Sequence, residues 1–103
     1  MTTNTDAYDL YLQANQLLEN RRPQEIENAI KLFNEVIELD PEFASAYARL
    51  AIAYNLLSNF GNISHSEMLN LMRKNIDRAL LIDGNLGWAY AALGKYYLYS
   101  GNS

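Results

Sequence analysis

The sequence predicts an all-α chain of about five helices, and three observations support that prediction. Apolar residues recur at intervals of three and four along most of the chain, which is the spacing of one helix face. Turn-forming residues separate these stretches, and no stretch shows the strict alternation of a half-buried strand. A spaced pattern of Tyr, Leu, a small residue and Tyr begins at Tyr47 and again at Tyr90. This recurrence indicates stacked, related helix pairs.

The first two helices are predicted from their flanking signals. Residues 6–19 carry apolar side chains at helical spacing, and Thr5 or Asp6 can cap the exposed amides. Pro23 suits the first turn of the second helix, predicted for residues 23–39, because its missing N–H has no intrahelical acceptor there. The apolar stripe of this second helix consists of Ile26, Ala29, Ile30, Phe33, Val36 and Ile37.

The third and fourth helices are predicted in the same way. Residues 40–42, with the sequence Asp-Pro-Glu, end the second helix and open the third, which is predicted for residues 41–57 with the aspartate as its cap. Ser64 and Glu67 have the spacing of a capping box and start the fourth helix, residues 65–82. Its predicted inward stripe is Met68, Leu71, Met72, Ile76, Ala79 and Leu80.

The fifth helix is predicted for residues 85–99, with Gly84 in the left-handed conformation that often follows a helix end. The whole chain has 103 residues, enough for one small domain. Half of the residues are hydrophobic and few are Gly or Pro, which argues against disorder.

Composition and charge exclude several classes of function. The net charge is −4, and the only adjacent basic pairs are Arg21-Arg22 and Arg73-Lys74, which are interpreted as solvated charges at helix ends or in loops. We therefore expect no nucleic-acid or anionic-membrane surface. The chain lacks cysteine, an apolar run of membrane-spanning length and the features of a signal peptide. A cytoplasmic protein is the expectation.

The sequence offers little for catalysis. His65 is the only histidine, and it stands at a predicted helix start without a partner for acid–base chemistry. Acidic residues between Glu35 and Glu42 lack the alternating spacing and turn glycine of a hard-cation loop. No phosphate-binding loop follows a strand. We expect no enzymatic activity, no metal site and no cofactor.

The helix pairs resemble the tetratricopeptide repeat, a unit of about 34 residues with the pattern W-x2-L-G-x2-Y, then A-x3-F, then P. The second copy matches with Tyr47, Leu50, Ala51 and Tyr54, and the third with Tyr90, Leu93, Gly94 and Tyr97. The first copy has Leu10, Gln13, Ala14 and Leu17, followed by Ala29, Phe33 and Pro41. The resemblance implies antiparallel pairs stacked as a right-handed superhelix, with repeat one at residues 6–41, repeat two at 42–84 and a half repeat at 85–103.

This sequence departs from the repeat pattern at several positions. Gln13 replaces a leucine, Met72 and Ile76 replace the alanine and phenylalanine of the second repeat, and Gly84 replaces its proline. The turns inside both helix pairs are also longer than those of the family. The segment from Tyr8 to Ile30 is similar to repeats of multidomain bacterial signalling proteins, including winged-helix transcription regulators and adenylate cyclases.

The resemblance implies a concave groove lined by the first helix of each pair. Positions offset from the motif residues would carry the partner-binding side chains, since the motif aromatics themselves pack between helices. The main groove residues expected from this offset are Tyr8, Tyr11, Asn15, Ile52, Asn55, Trp88 and Lys95, with further positions at Leu18, Ser45, Ala48, Ala91 and Leu98. An alternative interpretation is that these rings only cover the seam between repeats.

Family members that grip a C-terminal carboxylate use bases at three groove positions. Tyr11, Trp88 and Ala92 occupy those positions here, although Asn15 matches the family's asparagine. The resemblance therefore gives no expectation of that carboxylate clamp.

The fifth helix would lack a partner helix on one face, because the third copy is a half repeat. Tyr96 and Tyr99 lie on that face and are expected to favour self-association, as a homodimer through this helix or as contacts within a longer array. We expect a non-catalytic module that binds a protein or peptide, within a larger bacterial regulatory protein. The alternative is a structural or oligomerisation segment.

Overall fold

The computed structural model describes residues 4–101, with side chains from residue 6 onward, and this part of the chain is built from helices without strands. The helices are α1 (Asn4–Glu19), α2 (Pro23–Leu39), α3 (Ala44–Ser58), α4 (His65–Ile82) and α5 (Gly87–Ser100). The predicted all-α class is confirmed. The predicted bounds of α2 and α4 agree with the structure, whereas α1, α3 and α5 begin at other residues.

The first helix begins two residues earlier than predicted. Thr5 and Asp6 therefore lie inside the first turn of α1, where the carboxylate of Asp6 is favourable near the positive helix end. Neither residue therefore occupies the predicted cap position.

The connections α2–α3 and α4–α5 have the same geometry at a spacing of 43 residues. The backbone N–H of Asp40 donates to Val36 O at 2.8 Å, and that of Asp83 donates to Ala79 O at 2.9 Å. The Asp40 carboxylate accepts the N–H two residues onward at 3.1 Å, and the Asp83 carboxylate does the same at 3.0 Å. Each aspartate thus ends one helix and orders the turn that follows.

Two predictions for these connections, one at Asp40 and one at Gly84, are wrong. Asp40 does not cap α3, because its carboxylate is used in the turn, and α3 starts only at Ala44 after Phe43. Gly84 is not left-handed; the described glycines with positive φ are Gly61 and Gly101.

The motif aromatics close both turns from the following helix. The Tyr47 hydroxyl donates to the carbonyl of Pro41 at 2.9 Å, and the Tyr90 hydroxyl donates to the carbonyl of Gly84 at 2.7 Å. The two pairs are again 43 residues apart. One turn carries proline and the other glycine, so the backbone carbonyl rather than the side chain is what the repeated geometry requires.

The cap of the fourth helix is confirmed. Ser64 has extended backbone geometry, and its Oγ accepts the N–H of Glu67 at 3.1 Å. Gly101 ends α5 with φ 81°, a conformation that glycine adopts without steric cost.

The third helix is the centre of the domain. It packs against α2, α4 and α5, and it also touches α1. In the described chain, no Cα atom of α1 lies within 8 Å of a Cα atom of α5. Its composition fits this position, since alanines allow close approach of neighbouring helices. The buried core has its largest fully enclosed side chains at Phe33, Ile26, Leu50, Met68, Met72, Ile76 and Val36. Most of the predicted stripes of α2 and α4 are therefore inside.

Candidate functional site

A concave pocket of about 420 Å³ lies between α1 and α5, with α3 as its floor. Since α1 and α5 do not contact each other, the space above α3 stays open. We name this space the Trp88 pocket. Its lining consists of Asn15, Leu18, Glu19, Arg21, Arg49, Ile52, Leu56 and Trp88. Three apolar side chains, a tryptophan and four polar or charged groups therefore face one cavity.

Three of the main predicted groove residues line this pocket. They are Asn15 from α1, Ile52 from α3 and Trp88 from α5, and the further position Leu18 lies with them. Trp88 is 47% exposed, whereas Ile52 and Leu18 are largely covered and form the apolar base. Offset positions from three different helices thus meet in one place.

Two other predicted groove residues are buried. Tyr11 is only 9% exposed, and its ring lies 5.9 Å from the Phe33 ring and 4.8 Å from the Phe43 ring, measured between centroids. Asn55 is 1% exposed and donates through Nδ2 to Met68 Sδ at 3.5 Å. Both side chains belong to the interior, because the α1–α2 and α3–α4 pairs close over them.

The remaining predicted groove residues are accessible but lie outside the Trp88 pocket. Tyr8 is 53% exposed on α1, and Lys95 is exposed on α5. Neither lines the pocket. They could contact only a ligand that extends beyond it.

Arg49 is the central polar residue of the pocket and was not among the predicted groove residues. Its Nε donates to Asn15 Oδ1 at 2.9 Å, and its guanidinium carbon lies 4.4 Å from the centroid of the Trp88 ring. The guanidinium therefore links all three helices of the pocket. One sequence signal could have found it: Arg49 is the only charged residue in α3.

The electrostatic surroundings of Arg49 are those of a partly buried cation. Burial lowers the pKa of Arg49 from its ordinary value, and nearby Tyr11 and Glu19 partly offset this, while the positive charge of Arg21 lowers the pKa further. An arginine stays protonated under such conditions. The ion pairs among the described residues use Arg22, Arg73 and Arg78, so Arg49 has no carboxylate within 4 Å there.

Arg21 borders the pocket in a strained backbone conformation. Its φ is 58°, the only positive φ of a described non-glycine residue. The N–H of Arg21 donates to Leu18 O at 3.2 Å, which closes the end of α1 in a position that glycine or asparagine usually fills. The sequence suggested only a solvated basic pair at Arg21-Arg22, because backbone conformation at this turn is not visible in residue types.

A second surface cavity, of about 400 Å³, borders α3 and α4 near Tyr47 and Leu81. Two of its three charged lining residues have ion-pair partners: Arg78 lies 3.9 Å from a carboxylate oxygen of Glu42, and Asp77 lies 3.1 Å from Arg73 Nε. Lys74 is the third, and none of the predicted groove residues lines this cavity.

The residues expected to favour self-association differ in exposure. Tyr96 is half-buried against the core, and Arg73 lies over its ring at 5.4 Å. Tyr99 is exposed. Arg73 Nη1 also donates to the Tyr97 hydroxyl at 3.5 Å, and this hydrogen bond is the main cause that raises the pKa of Arg73. The far side of α5 is therefore an aromatic surface with one arginine.

Among the described residues, no group of three or more histidine or acidic side chains could hold a metal ion. None of the described helices has both the length and the apolar character needed to cross a membrane. Comparison with protein-family models gave no matching family, and no curated protein matches the chain significantly.

Proposed function

We propose that this domain is a non-catalytic interaction module that holds a peptide or helix of a partner protein in the groove above α3. The observation that carries the proposal is the convergence of Asn15, Ile52 and Trp88, from three helices, on one concave pocket. A surface that combines an exposed tryptophan, an apolar base and fixed polar groups has the composition of a binding hot spot.

Tetratricopeptide-like stacking is part of this proposal. The 43-residue recurrence of the turn hydrogen bonds, including those of Tyr47 and Tyr90, supports two related helix pairs in succession. The helices also contact mainly their chain neighbours, which is the packing of a repeat array. Because the segment from Tyr8 to Ile30 is similar to repeats of multidomain bacterial signalling proteins, we also propose that the domain belongs to a larger regulatory protein of bacteria, located in the cytoplasm.

Selection from a display library of random dodecapeptides tests the function. Peptides that bind the domain are synthesised, and their Kd values are measured by calorimetry for the native chain and for Trp88→Ala. We expect about 10- to 30-fold weaker binding to Trp88→Ala, as for an aromatic hot spot. Tyr99→Ala is the matched control, because Tyr99 is also an exposed aromatic of α5 but lies outside the pocket.

Two results would contradict the proposal. Either no peptide is enriched on the folded domain, or the selected peptides bind Trp88→Ala as tightly as the native chain. In the second case the binding surface lies elsewhere.

One observation favours the alternative of a structural or oligomerisation segment. Large apolar side chains are exposed on α5 and at the end of α4, namely Leu81, Tyr90, Tyr97, Leu98 and Tyr99. A surface of this kind favours self-association. Size-exclusion chromatography with light scattering over a range of concentrations decides it: a dimer that Leu98→Glu converts to monomer supports this role, and a monomer throughout removes it.

A further inference from the structure

We infer that the partner segment presents a carboxylate to Arg49, with an apolar side chain next to it above Ile52 and Leu56. This inference rests on the proposed function and names the chemistry of the ligand. It does not follow from the family resemblance, because the bases of the family's carboxylate clamp are absent at their positions in this chain.

The side chain of Arg49 is held in place while part of its hydrogen-bonding capacity is unused. Asn15 accepts from Nε, and Trp88 lies against the face of the guanidinium. The hydrogen bond to Asn15 is the only one that the Arg49 side chain makes with the described residues, so both terminal amino groups are without an acceptor there. Two adjacent N–H groups of an arginine match the two oxygens of a carboxylate.

The charged residues that line the Trp88 pocket give it a positive local charge. Arg21 and Arg49 contribute two positive charges to the pocket, and Glu19 contributes one negative charge, which leaves a net charge of +1 in a chain of net charge −4. The carboxylate of Glu19 offsets one of the two positive charges, so a ligand with a single negative charge is sufficient to neutralise the pocket. A carboxylate has the charge that neutralises this pocket.

The backbone of Arg21, at the edge of the pocket, is in the left-handed conformation. A left-handed backbone conformation is sterically unfavourable for a residue that has a Cβ, and glycine avoids this strain. The chain nevertheless has arginine there, at the edge of the same pocket. Strained residues that persist tend to cluster at binding sites. A second cation beside Arg49 is the property that glycine could not supply.

The experiment uses the peptides selected on the native domain. Each acidic peptide is compared with forms in which a single Glu or Asp is replaced by Gln or Asn, and with a C-terminal amide. Binding is followed by the emission of Trp88, which is the only tryptophan of the chain, with peptides that lack tryptophan. The three forms distinguish a side-chain carboxylate from the C-terminal one.

We expect one of these neutral forms to bind about tenfold more weakly to the native domain, the effect of losing a charge-assisted hydrogen-bonded pair. Arg49→Gln should weaken the acidic peptide by a similar factor and weaken the neutral form by a clearly smaller factor, because only the acidic peptide loses its partner. Arg78→Gln is the matched control, because Arg78 also lies over an aromatic ring, that of Tyr47, and its replacement changes the net charge equally. Arg49→Lys should retain only part of the affinity, since lysine lacks the paired donors.

The outcomes separate this inference from the proposed function. Two results would contradict the carboxylate and leave the proposed binding groove supported. In the first, the selected peptides require Trp88 but carry no acidic group. In the second, their acidic residue contributes equally to binding of the native chain and of Arg49→Gln. Tighter binding of a phosphoserine peptide than of its glutamate form would also overturn it. Failure to select any peptide would remove the proposed function and this inference with it.

Discussion

The guanidinium of Arg49 lies over the ring of Trp88, with 4.4 Å between its central carbon and the ring centroid. This contact joins α3 to α5 across the floor of the Trp88 pocket. It also combines a partly buried cation, which has no carboxylate partner among the described residues, with a half-exposed aromatic ring. The same pair therefore contributes to the packing of the last helix and forms the surface that a ligand would meet.

A double-mutant cycle measures this contact. We expect Arg49→Ala and Trp88→Ala to couple by about 0.5–1 kcal/mol in the free energy of unfolding, the range of a partly exposed cation–π pair. Urea unfolding followed by far-ultraviolet circular dichroism is the measurement, because Trp88 is absent from two of the variants. The cycle of Arg49→Ala with Tyr99→Ala is the control and should show no coupling. Equal coupling energies in the two cycles would mean that the contact between Arg49 and the Trp88 ring is not the source of the coupling.

The backbone of Arg21 gives a second prediction. With φ at 58°, Arg21→Gly should relieve strain and raise the free energy of unfolding by about 0.5–1 kcal/mol, even though it removes a charge. Arg21→Ala is the matched control: it removes the same charge but keeps a Cβ in the left-handed region, so it should give no such gain. The free energies of unfolding of the native chain and the two variants, measured by chemical denaturation, distinguish an effect of backbone strain from an effect of charge. A gain of the same size in both variants would assign the effect to charge repulsion with Arg49.

The fold could be predicted largely from the sequence because its signals are local. Helical spacing of apolar residues, Pro23 at a helix start and Ser64 before Glu67 each act through neighbouring residues. The error at Asp40 is also local in origin. An aspartate before a proline can cap a helix or order a turn, and only the hydrogen bond to the N–H of Glu42 distinguishes the two.

The site could be predicted only in part, because burial depends on how helices pack. Repeat offsets identified Asn15, Ile52 and Trp88, but the same offsets also selected Tyr11 and Asn55, which the neighbouring helices cover. A pattern derived from related repeats assumes equal exposure at equivalent positions. The offset alone could not reveal the aromatic contacts of Tyr11 with α2 and the α2–α3 turn, because they depend on Phe33 and Phe43, which lie outside the motif-offset positions.

Tyr8 and Tyr11 provide a test of this difference. Tyr11→Ala should lower the free energy of unfolding by about 3–5 kcal/mol, since it leaves a cavity beside Phe33 and Phe43. Tyr8→Ala, one helical turn earlier and half exposed, should change it by less than about 0.5 kcal/mol. Thermal and urea unfolding of both variants provide the comparison, with Tyr11→Leu as the milder variant if Tyr11→Ala does not fold. Similar small losses for Tyr11 and Tyr8 would return Tyr11 to the list of surface residues.

Gly94 gives the last prediction, because it occupies the small-residue position of the third copy of the motif. The equivalent residue 43 positions earlier, Ala51, is fully buried among neighbouring helices. A Cβ built on Gly94 meets no described atom within 4 Å. Gly94→Ala should therefore raise the free energy of unfolding by about 0.5–1 kcal/mol through helix propensity alone.

The reverse change, Ala51→Gly, is the control for Gly94→Ala and should lower the free energy of unfolding by about 1–2 kcal/mol, since it removes a buried methyl group as well as helix propensity. Both are measured by urea unfolding at low protein concentration. At high protein concentration, Gly94→Ala also tests whether copies of the chain associate. If copies associate through the face of α5 that carries Gly94, the added methyl group should weaken that association, and light scattering would show it as a lower mean mass. A loss of stability at low concentration would contradict the open space observed at Gly94.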